Sequence, residues 1–260
     1  MSLIKHSAYN ILGFAIPTIV AIPAFGVLSR WLSIEEFGVF TLTFAIVGYA
    51  SIFDAGLSRA VTREVSIYRE DTIEQSKILG TANLLILFLC LIASFSLFVF
   101  SPYLATYLKI TSASFTNVVI SLRLLTLAIP FYIFNLIWTG YLEGMEDFLS
   151  VNIQKSISNS IIVLLPVLFC MIEKNIIYAT FGLVIGRLIS IIITSIYCTI
   201  ILKKSKFNFD KKVFKRLLDY GSWITVSNII SPIMVYFDKF IVSNILGAQK
   251  VAFYTAPAEG

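Results

Sequence analysis

Hydrophobic residues run along this chain in long, almost uninterrupted segments that are separated by short polar turns. A bilayer core about 30 Å thick needs roughly 20 residues of α-helix to cross it. The continuous runs exclude a transmembrane β-barrel, whose short strands alternate apolar and polar residues. The pattern therefore predicts an all-α polytopic membrane protein. Seven segments are long enough to span the bilayer, namely residues 8–29, 37–57, 79–100, 117–139, 151–172, 176–202 and 220–245.

Proline and charge positions define the ends of these segments more closely. Pro102 follows the third segment and is expected to mark the loop after it. Residues 63–77 mix charges with isoleucines, which predicts a short amphipathic cytoplasmic helix leading into the third span. Helices in lipid tolerate proline where neighbouring groups satisfy the freed carbonyl. Five prolines fall inside predicted spans, namely Pro17, Pro23, Pro130, Pro166 and Pro232.

Composition excludes several classes of protein. Charged residues make up 13% of the chain and the mean hydropathy is +0.88, whereas about a quarter of the residues in a soluble domain are charged. His6 is the only histidine, and the three cysteines lie inside apolar segments without metal-ligand spacing. We therefore expect no metal site, no cofactor and no histidine-based catalytic site. No phosphate-binding G-x-x-x-x-G-K-[ST] loop occurs, so ATP is not expected to drive the protein.

The distribution of basic residues predicts the orientation. With the N-terminus in the cytoplasm, the cytoplasmic loops hold most lysines and arginines, including seven between Lys203 and Arg216. The opposite loops then hold only Arg30, Lys109, Lys174 and Lys250. Because basic residues concentrate in cytoplasmic loops, the N-terminus is predicted to be cytoplasmic. Nothing else in the chain suggests nucleic-acid binding, so we interpret residues 203–216 as a membrane anchor attracted to anionic headgroups.

A short internal repeat indicates a larger parent architecture. Residues 31–41 align with residues 245–255 at a constant offset, and each copy forms a polar turn leading into an even-numbered span. Transporters are often built from repeated halves. We therefore predict an N-terminal six-helix bundle over residues 1–217, and the start of a truncated second bundle over residues 218–260. On this hypothesis the chain is the N-terminal part of a longer protein.

Residues 28–65 carry a family resemblance. They read LSRWLSIEEFGVFTLTFAIVGYASIFDAGLSRAVTREV, with an S-R-x-L turn, an E-x-F-G start to the second span and a D-x-G-L exit. This pattern, together with residues 141–146, resembles the Wzx-type polysaccharide flippases of the multidrug/oligosaccharidyl-lipid/polysaccharide (MOP) superfamily. The resemblance covers essentially the whole chain.

The resemblance implies a MATE-like fold, in which two six-helix bundles surround a central cavity. It also implies transport of undecaprenyl-diphosphate-linked oligosaccharides across the bacterial plasma membrane, for O-antigen, lipopolysaccharide or capsule synthesis. Expected partners are membrane lipids, the lipid-linked oligosaccharide, a polysaccharide polymerase and a chain-length regulator, with no nucleic acid among them. Such a chain is a transporter rather than an enzyme.

Arginine suits a diphosphate because its planar fork bonds two oxygens and keeps its charge. Arg187 shares a helical face with Ser190 and Thr194, beside Gly182 and Gly186, whose spacing allows a neighbouring helix to approach closely. The alternative for arginines within spans is that their side chains extend to the headgroups. The candidate substrate-binding residues are Arg30, Arg123, Arg187 and Lys239.

Acidic residues inside spans suggest coupling or gating. Asp54 shares a helical face with Ser51 and Ser58 and lies close to Arg59. An ionisable group within a span is a functional-site hypothesis. The alternative is a structural ion pair between Asp54 and Arg59 or Arg63. The candidate coupling or gating residues are Asp54, Arg59 and Asp238.

Three functional classes remain open at this point. The first is the oligosaccharide-lipid flippase, from which a lipid II flippase of the same superfamily cannot be separated. The second is a MATE-type multidrug cation exporter, which would require an anionic cavity, whereas the ionisable residues within spans are mostly basic. The third, a lipid-processing enzyme or scaffold, lacks a paired-carboxylate or histidine constellation.

Overall fold

The computed structural model describes residues 3–225, apart from residues 55, 109, 111 and 203–206. All regular structure in this part of the chain is helical, as the hydrophobic pattern predicts. Most of the predicted seventh span, the second copy of the repeat, Asp238 and Lys239 lie outside the described residues. The helices are α1 (Leu3–Trp31), α2 (Ile34–Tyr49), a 3₁₀ turn (Ala50–Asp54), α3 (Leu57–Ile67), α4 (Thr72–Tyr107), α5 (Ser112–Gly144), α6 (Phe148–Cys170), α7 (Ile176–Ile201) and α8, described over residues 211–225.

Four of these helices, α4 to α7, are long and apolar enough to cross a membrane. Helix α7 reproduces the predicted sixth span almost residue for residue. The apolar part of α1, Ala15–Trp31, is slightly shorter than a full span within the described residues. The fourth and fifth predicted spans correspond to α5 and α6, and α5 extends several residues beyond the predicted ends.

The predicted second span, residues 37–57, is wrong from residue 50 onward. Helix α2 stops at Tyr49, and the chain passes through one 3₁₀ turn before α3 begins. Gly56 has a φ angle of 69°, a left-handed conformation that glycine adopts without steric cost. A Cβ atom at Gly56 would also lie 2.6 Å from the carbonyl oxygen of Gly221 on α8. The break therefore allows the close contact with α8.

Two further predictions about the third span are also wrong. Pro102 lies inside α4, which continues to Tyr107. Its ring deprives the Phe98 carbonyl of the usual helical donor, and the Ser101 hydroxyl donates to that carbonyl at 2.9 Å. Residues 63–77 form two pieces instead of one helix, because the Asp71 carboxylate caps α4 by accepting hydrogen bonds from two backbone N–H groups.

Helix packing leaves two apolar cores at opposite ends of the bundle. One core lies at the end formed by α3, the start of α4, the α5–α6 turn and α8, which we call the basic end because residues 207–216 lie there. The second core lies at the other end, between α1, α2 and the first halves of α5 and α7. Helix α6 packs on α1 and α7, and α5 packs on α4 and α7. Polar side chains of α5, α6 and α7 occupy the level between the two cores.

Candidate functional site

Arg187 lies near the middle of α7, between the two apolar cores. It follows Ile176, the first residue of α7, by 11 residues, or about 16 Å at the helical rise. Its guanidinium carbon stands 4.7 Å from the centroid of the Tyr132 ring on α5. The Nε atom of Arg187 is shielded from solvent and has no hydrogen-bond partner. No ion pair in the described part of the chain includes this arginine.

This environment leaves a positive charge unneutralised inside the membrane-spanning bundle. A charged group at that depth is costly unless it is paired or faces a polar cavity. The Tyr132 ring face supplies part of the compensation, since a desolvated cation–π contact contributes about 2 kcal/mol. The arrangement therefore suits an external anion that binds at the guanidinium. The sequence identified the arginine as a candidate, but it did not indicate the tyrosine.

A buried hydrogen-bond cluster lies on the same face of α7, one to two turns from Arg187. The Thr194 hydroxyl is 2.5 Å from Asn135 Oδ1 on α5, and Gln154 Nε2 on α6 donates to Thr194 at 2.5 Å. Gln154 also donates to Ser158 Oγ at 3.1 Å. The cluster joins three helices by neutral polar groups, and it holds α5 and α7 in the relative position that sets Tyr132 against Arg187.

Two glycines bring α6 close enough to complete this cluster. A Cβ atom at Gly182 would lie 2.7 Å from the Leu165 carbonyl oxygen, and one at Gly186 would lie 2.9 Å from the Ile162 Cα atom. The prediction that their spacing permits close helix approach is confirmed. Small residues at a helix interface allow backbones to pack together inside a membrane. The glycines therefore support the same face of α7 that carries Arg187.

Asp54 is the last residue of the 3₁₀ turn, two residues before Gly56, and its carboxylate caps the first turn of α3. Its carboxylate accepts hydrogen bonds from the Ser58 backbone N–H at 3.0 Å and the Ser58 hydroxyl at 2.6 Å. The side chain is buried, and it forms no ion pair with Arg59 or Arg63 among the described residues. The alternative hypothesis of a structural ion pair is therefore wrong. The shared face with Ser58 was predicted, and its physical basis is helix capping.

The other candidate residues lie apart from Arg187. Arg123 is exposed on α5, and its guanidinium carbon lies 5.0 Å from the centroid of the exposed Phe98 ring on α4. Arg30 is exposed in the last turn of α1, and Arg59 is exposed on α3. The described structure therefore brings none of these three arginines to the polar level of Arg187.

An ion-pair cluster at the basic end was not foreseen from the sequence. Arg216 on α8 contacts Glu64 of α3 at 3.1 Å and Glu74 of α4 at 2.6 Å, and it donates to the Tyr68 hydroxyl at 2.7 Å. Glu64 is buried and also pairs with Arg63 at 3.1 Å. The available signal was that Glu64 lies on the apolar face of α3, with Ala60, Val61 and Val65.

Electrostatics at this end follow from these contacts. Partial burial lowers the pKa of the Arg216 guanidinium, but the hydrogen bond and charge of Glu74 and the charge of Glu64 more than offset this effect. The pKa of Arg216 therefore lies above its usual range. Backbone N–H groups of Val213 and Lys212 hold the pKa of the Asp210 carboxyl below its usual range. Arg216 and Asp210 are thus charged at neutral pH.

Residues 141–146, which also carried the family resemblance, lie at the end of α5, where this helix packs against α3. Gly140 and Gly144 face α3, where added Cβ atoms would lie 2.7 Å from the carbonyl oxygens of Ser58 and Thr62. Glu146 has a φ angle of 56°, and its carboxylate accepts a hydrogen bond from Arg69 at 2.7 Å. The motif therefore ends α5 and fixes α3 against it.

Comparison with known proteins matches almost the whole chain. A family model described as polysaccharide biosynthesis protein covers residues 3–259. A Shigella flexneri protein named "Putative O-antigen transporter" is 48% identical over 260 residues, which make up 100% of this chain and 62% of that protein. The chain thus spans about three fifths of that relative's length.

Solved transporter structures share the fold. A MOP superfamily transporter from Pyrococcus furiosus, described as having a binding pocket of reverse polarity, aligns with a TM-score of 0.74 at 16% identity. The alignment covers 98% of this chain and 58% of that chain. An outward-facing multidrug resistance MATE family transporter aligns with a TM-score of 0.70 at 15% identity, with the same coverage. At these identities the likeness shows the fold, which confirms the predicted MATE-like architecture.

Proposed function

The chain belongs to the polysaccharide biosynthesis protein family, and we propose that it serves as a flippase for surface polysaccharide, either by itself or as part of a longer protein. The proposed cargo is an undecaprenyl-diphosphate-linked oligosaccharide, carried across the bacterial plasma membrane for O-antigen or capsule synthesis. The Shigella flexneri relative is named as an O-antigen transporter, which supports this proposal. The cytoplasmic N-terminus, the polymerase and the chain-length regulator belong to the same proposal.

Arg187 is the observation that carries this proposal. A lipid-linked diphosphate has to cross the membrane interior with its negative charges compensated. Arg187 offers a guanidinium at that depth with no carboxylate paired to it in the described chain. A planar guanidinium bonds two phosphate oxygens at once, which an ammonium group cannot match. The polyprenyl tail of the cargo can meanwhile remain in the surrounding lipid.

The alternative of a cation exporter finds less support at this site. Cationic drugs favour an anionic cavity, whereas Arg187 is basic and pairs with no carboxylate in the described chain, and the hydrogen-bond cluster beside it consists of neutral hydroxyl and amide groups. Roles in cargo binding for Arg30, Arg123 and Lys239 stay predictions. The same holds for coupling or gating by Asp54, Arg59 and Asp238.

Replacement of the chromosomal gene by variants tests the proposal. We expect Arg187→Ala to reduce surface polysaccharide at least about tenfold, since loss of a bound charged group costs a few kcal/mol. Lipid-linked oligosaccharide should accumulate in parallel. Arg187→Lys should retain only part of the export, because lysine keeps the charge but loses the bidentate geometry.

A matched control and membrane quantification make the result interpretable. Lys174→Ala also removes one basic group, but its ammonium lies over the Trp31 ring at the end of the bundle opposite the basic end. We expect this variant to export normally. Immunoblotting of membranes must show equal protein for all variants. Normal export by both Arg187 variants at equal protein levels would overturn the diphosphate role.

A further inference from the structure

A small surface patch at the basic end combines exposed aromatic rings with lysines. It consists of Phe207, Phe209, Lys211, Lys212 and Lys215, and we call it the interfacial patch. Phe207 is 44% exposed and Phe209 is 55% exposed, so both rings present apolar surface beside the lysines. The three lysines are exposed along the first turns of α8. Apolar rings beside lysines are typical of segments that lie in a membrane interface.

The interfacial patch is held rigidly against α4. A Cβ atom at Gly80 would lie 2.6 Å from the Asn208 carbonyl oxygen, so the chain passes directly over this glycine. One residue further along α4, the Thr81 hydroxyl accepts a hydrogen bond of 3.0 Å from the Asp210 backbone N–H. The Phe207 ring packs edge-on against Trp138 of α5 at 6.0 Å between centroids. These contacts fix the height of the patch along the bundle.

That height coincides with the edge of the lipid-facing surface of α4. Leu84, Leu87 and Phe88 are exposed on α4 and begin its long apolar stripe. Gly80 precedes Leu84 by four residues, or about 6 Å along the helix axis. The patch therefore lies about one helical turn before this apolar stripe begins, at the level where lipid headgroups are expected if the stripe faces hydrocarbon.

The charges of the interfacial patch remain available to a ligand. The side chains of Lys211, Lys212 and Lys215 belong to none of the ion pairs in the described residues. Asp210, which directly precedes Lys211, pairs with Lys77 at 3.9 Å and accepts hydrogen bonds from the Lys212 and Val213 backbone N–H groups. Three such cations attract an anionic surface by electrostatics.

We propose that the interfacial patch binds the headgroups of anionic phospholipids, with the three lysines contacting phosphate oxygens and the two phenylalanines entering the adjoining hydrocarbon. The bound lipid would rest against α4 and the start of α8. This inference does not depend on the nature of the transported cargo. It assigns a lipid-binding role to residues that the proposed transport site does not use.

Electron paramagnetic resonance of spin-labelled lipids tests the proposal on the full chain in bilayers. We expect labelled phosphatidylglycerol to show a motionally restricted fraction with roughly threefold or greater preference over labelled phosphatidylcholine. Raising the salt concentration from 0.1 M to 1 M should reduce that preference, because screening shortens the range of exposed charges. Equal restriction of both lipids by the unmodified protein would overturn the proposal.

Substitutions of the three lysines test whether the interfacial patch is responsible for the phosphatidylglycerol preference. The triple variant Lys211→Gln, Lys212→Gln and Lys215→Gln should lower the phosphatidylglycerol preference to near that of phosphatidylcholine. The matched triple substitution to arginine keeps the charges and should keep the preference. Surface labelling from each side of the membrane verifies that both variants insert in the same orientation. An unchanged preference in the glutamine variant would contradict the assignment.

A competition experiment distinguishes a lipid from a free anion. Inorganic phosphate and chloride are added at equal ionic strength to the unmodified protein. We expect the two salts to reduce the phosphatidylglycerol preference equally, because the patch holds a headgroup anchored in the bilayer. Stronger displacement by phosphate would show a site for a soluble anion and would overturn the lipid proposal. The salt titration and this competition need no variant, so the proposal stays testable if a variant misfolds.

Discussion

The guanidinium carbon of Arg187 on α7 lies 4.7 Å from the centroid of the Tyr132 ring on α5. This contact couples the one arginine at mid-depth of α7 to a neighbouring helix without neutralising its charge. The aromatic face stabilises the cation, and the Nε atom of Arg187 has no hydrogen-bond partner in the described chain. Tyr132 is therefore a positioning residue for the proposed diphosphate site.

Substitutions of Tyr132 should distinguish the contribution of its aromatic ring to export from that of its hydroxyl. We expect Tyr132→Phe to keep most of the export of surface polysaccharide, because the face of the phenyl ring still supports the cation. Tyr132→Leu should lower export roughly tenfold, since it removes a contact of about 1–2 kcal/mol. Surface polysaccharide, normalised to membrane protein, measures both effects. Equal export by the phenylalanine and leucine variants would show that the ring face has no part in positioning Arg187.

Close packing of α7 on α6 makes a second prediction, about stability. Gly182→Ala should destabilise the bundle by about 1–3 kcal/mol, because its Cβ atom would lie 2.7 Å from the Leu165 carbonyl oxygen. Gly26→Ala is the matched control, because no atom lies within 4 Å of a Cβ atom at that position of α1. Alanine there should leave stability unchanged or raise it by up to about 1 kcal/mol. Thermal unfolding in detergent compares the two variants.

The positions of the long helices were predictable from the sequence, because a hydrophobic segment of about 20 residues is enough to indicate a membrane-spanning helix. The sixth span was predicted as residues 176–202 and is observed as Ile176–Ile201. The break at Gly56 was not predictable, since it depends on the approach of Gly221 from a helix 165 residues further along the chain. Continuation of α4 through Pro102 was missed because local propensity took no account of the Ser101 hydroxyl.

The sequence predicted only the part of the candidate site that lies on a single helix, α7. Arg187 and Thr194 share a face of α7, and helical periodicity alone revealed that face. Tyr132, Asn135 and Gln154 come from two other helices, so their meeting with α7 depends on tertiary packing. Asn135 and Gln154 are amide residues inside predicted spans, and the sequence alone does not distinguish them from the other polar residues of those spans.

The ion pair between Arg216 and Glu64 should make a measurable contribution to stability. Glu64→Gln and Arg216→Met should each destabilise the protein by about 1–3 kcal/mol, because each removes one charged contact from a partly buried network in which Arg63 still pairs with Glu64 and Glu74 still pairs with Arg216. Their double-mutant cycle should give a coupling free energy of about 1–3 kcal/mol. Denaturant unfolding in detergent measures all three variants.

The pair formed by Lys155 and Glu143 is the matched control for that cycle. Its nitrogen and oxygen lie 2.9 Å apart, but the two side chains are 36% and 37% exposed. Solvent screening should limit its coupling free energy to about 0–1 kcal/mol. A coupling at Arg216 and Glu64 that is no larger than this value would show that burial of Glu64 adds nothing to the pair.

Asp54 allows its helix-capping role to be separated from a role for its charge. Asp54→Ala removes the acceptor for the Ser58 N–H and hydroxyl, and should destabilise the protein by about 1–2 kcal/mol. Asp54→Asn retains an acceptor oxygen and should keep stability close to that of the unmodified protein, because asparagine caps helices about as well as aspartate.

Thermal unfolding of the Asp54 variants therefore tests capping, and export of surface polysaccharide by the asparagine variant tests the charge. If the asparagine variant is stable but does not export, the negative charge itself is required, as the gating hypothesis demands. If it is stable and exports normally, capping accounts for Asp54. An alanine variant as stable as the unmodified protein would contradict the capping role.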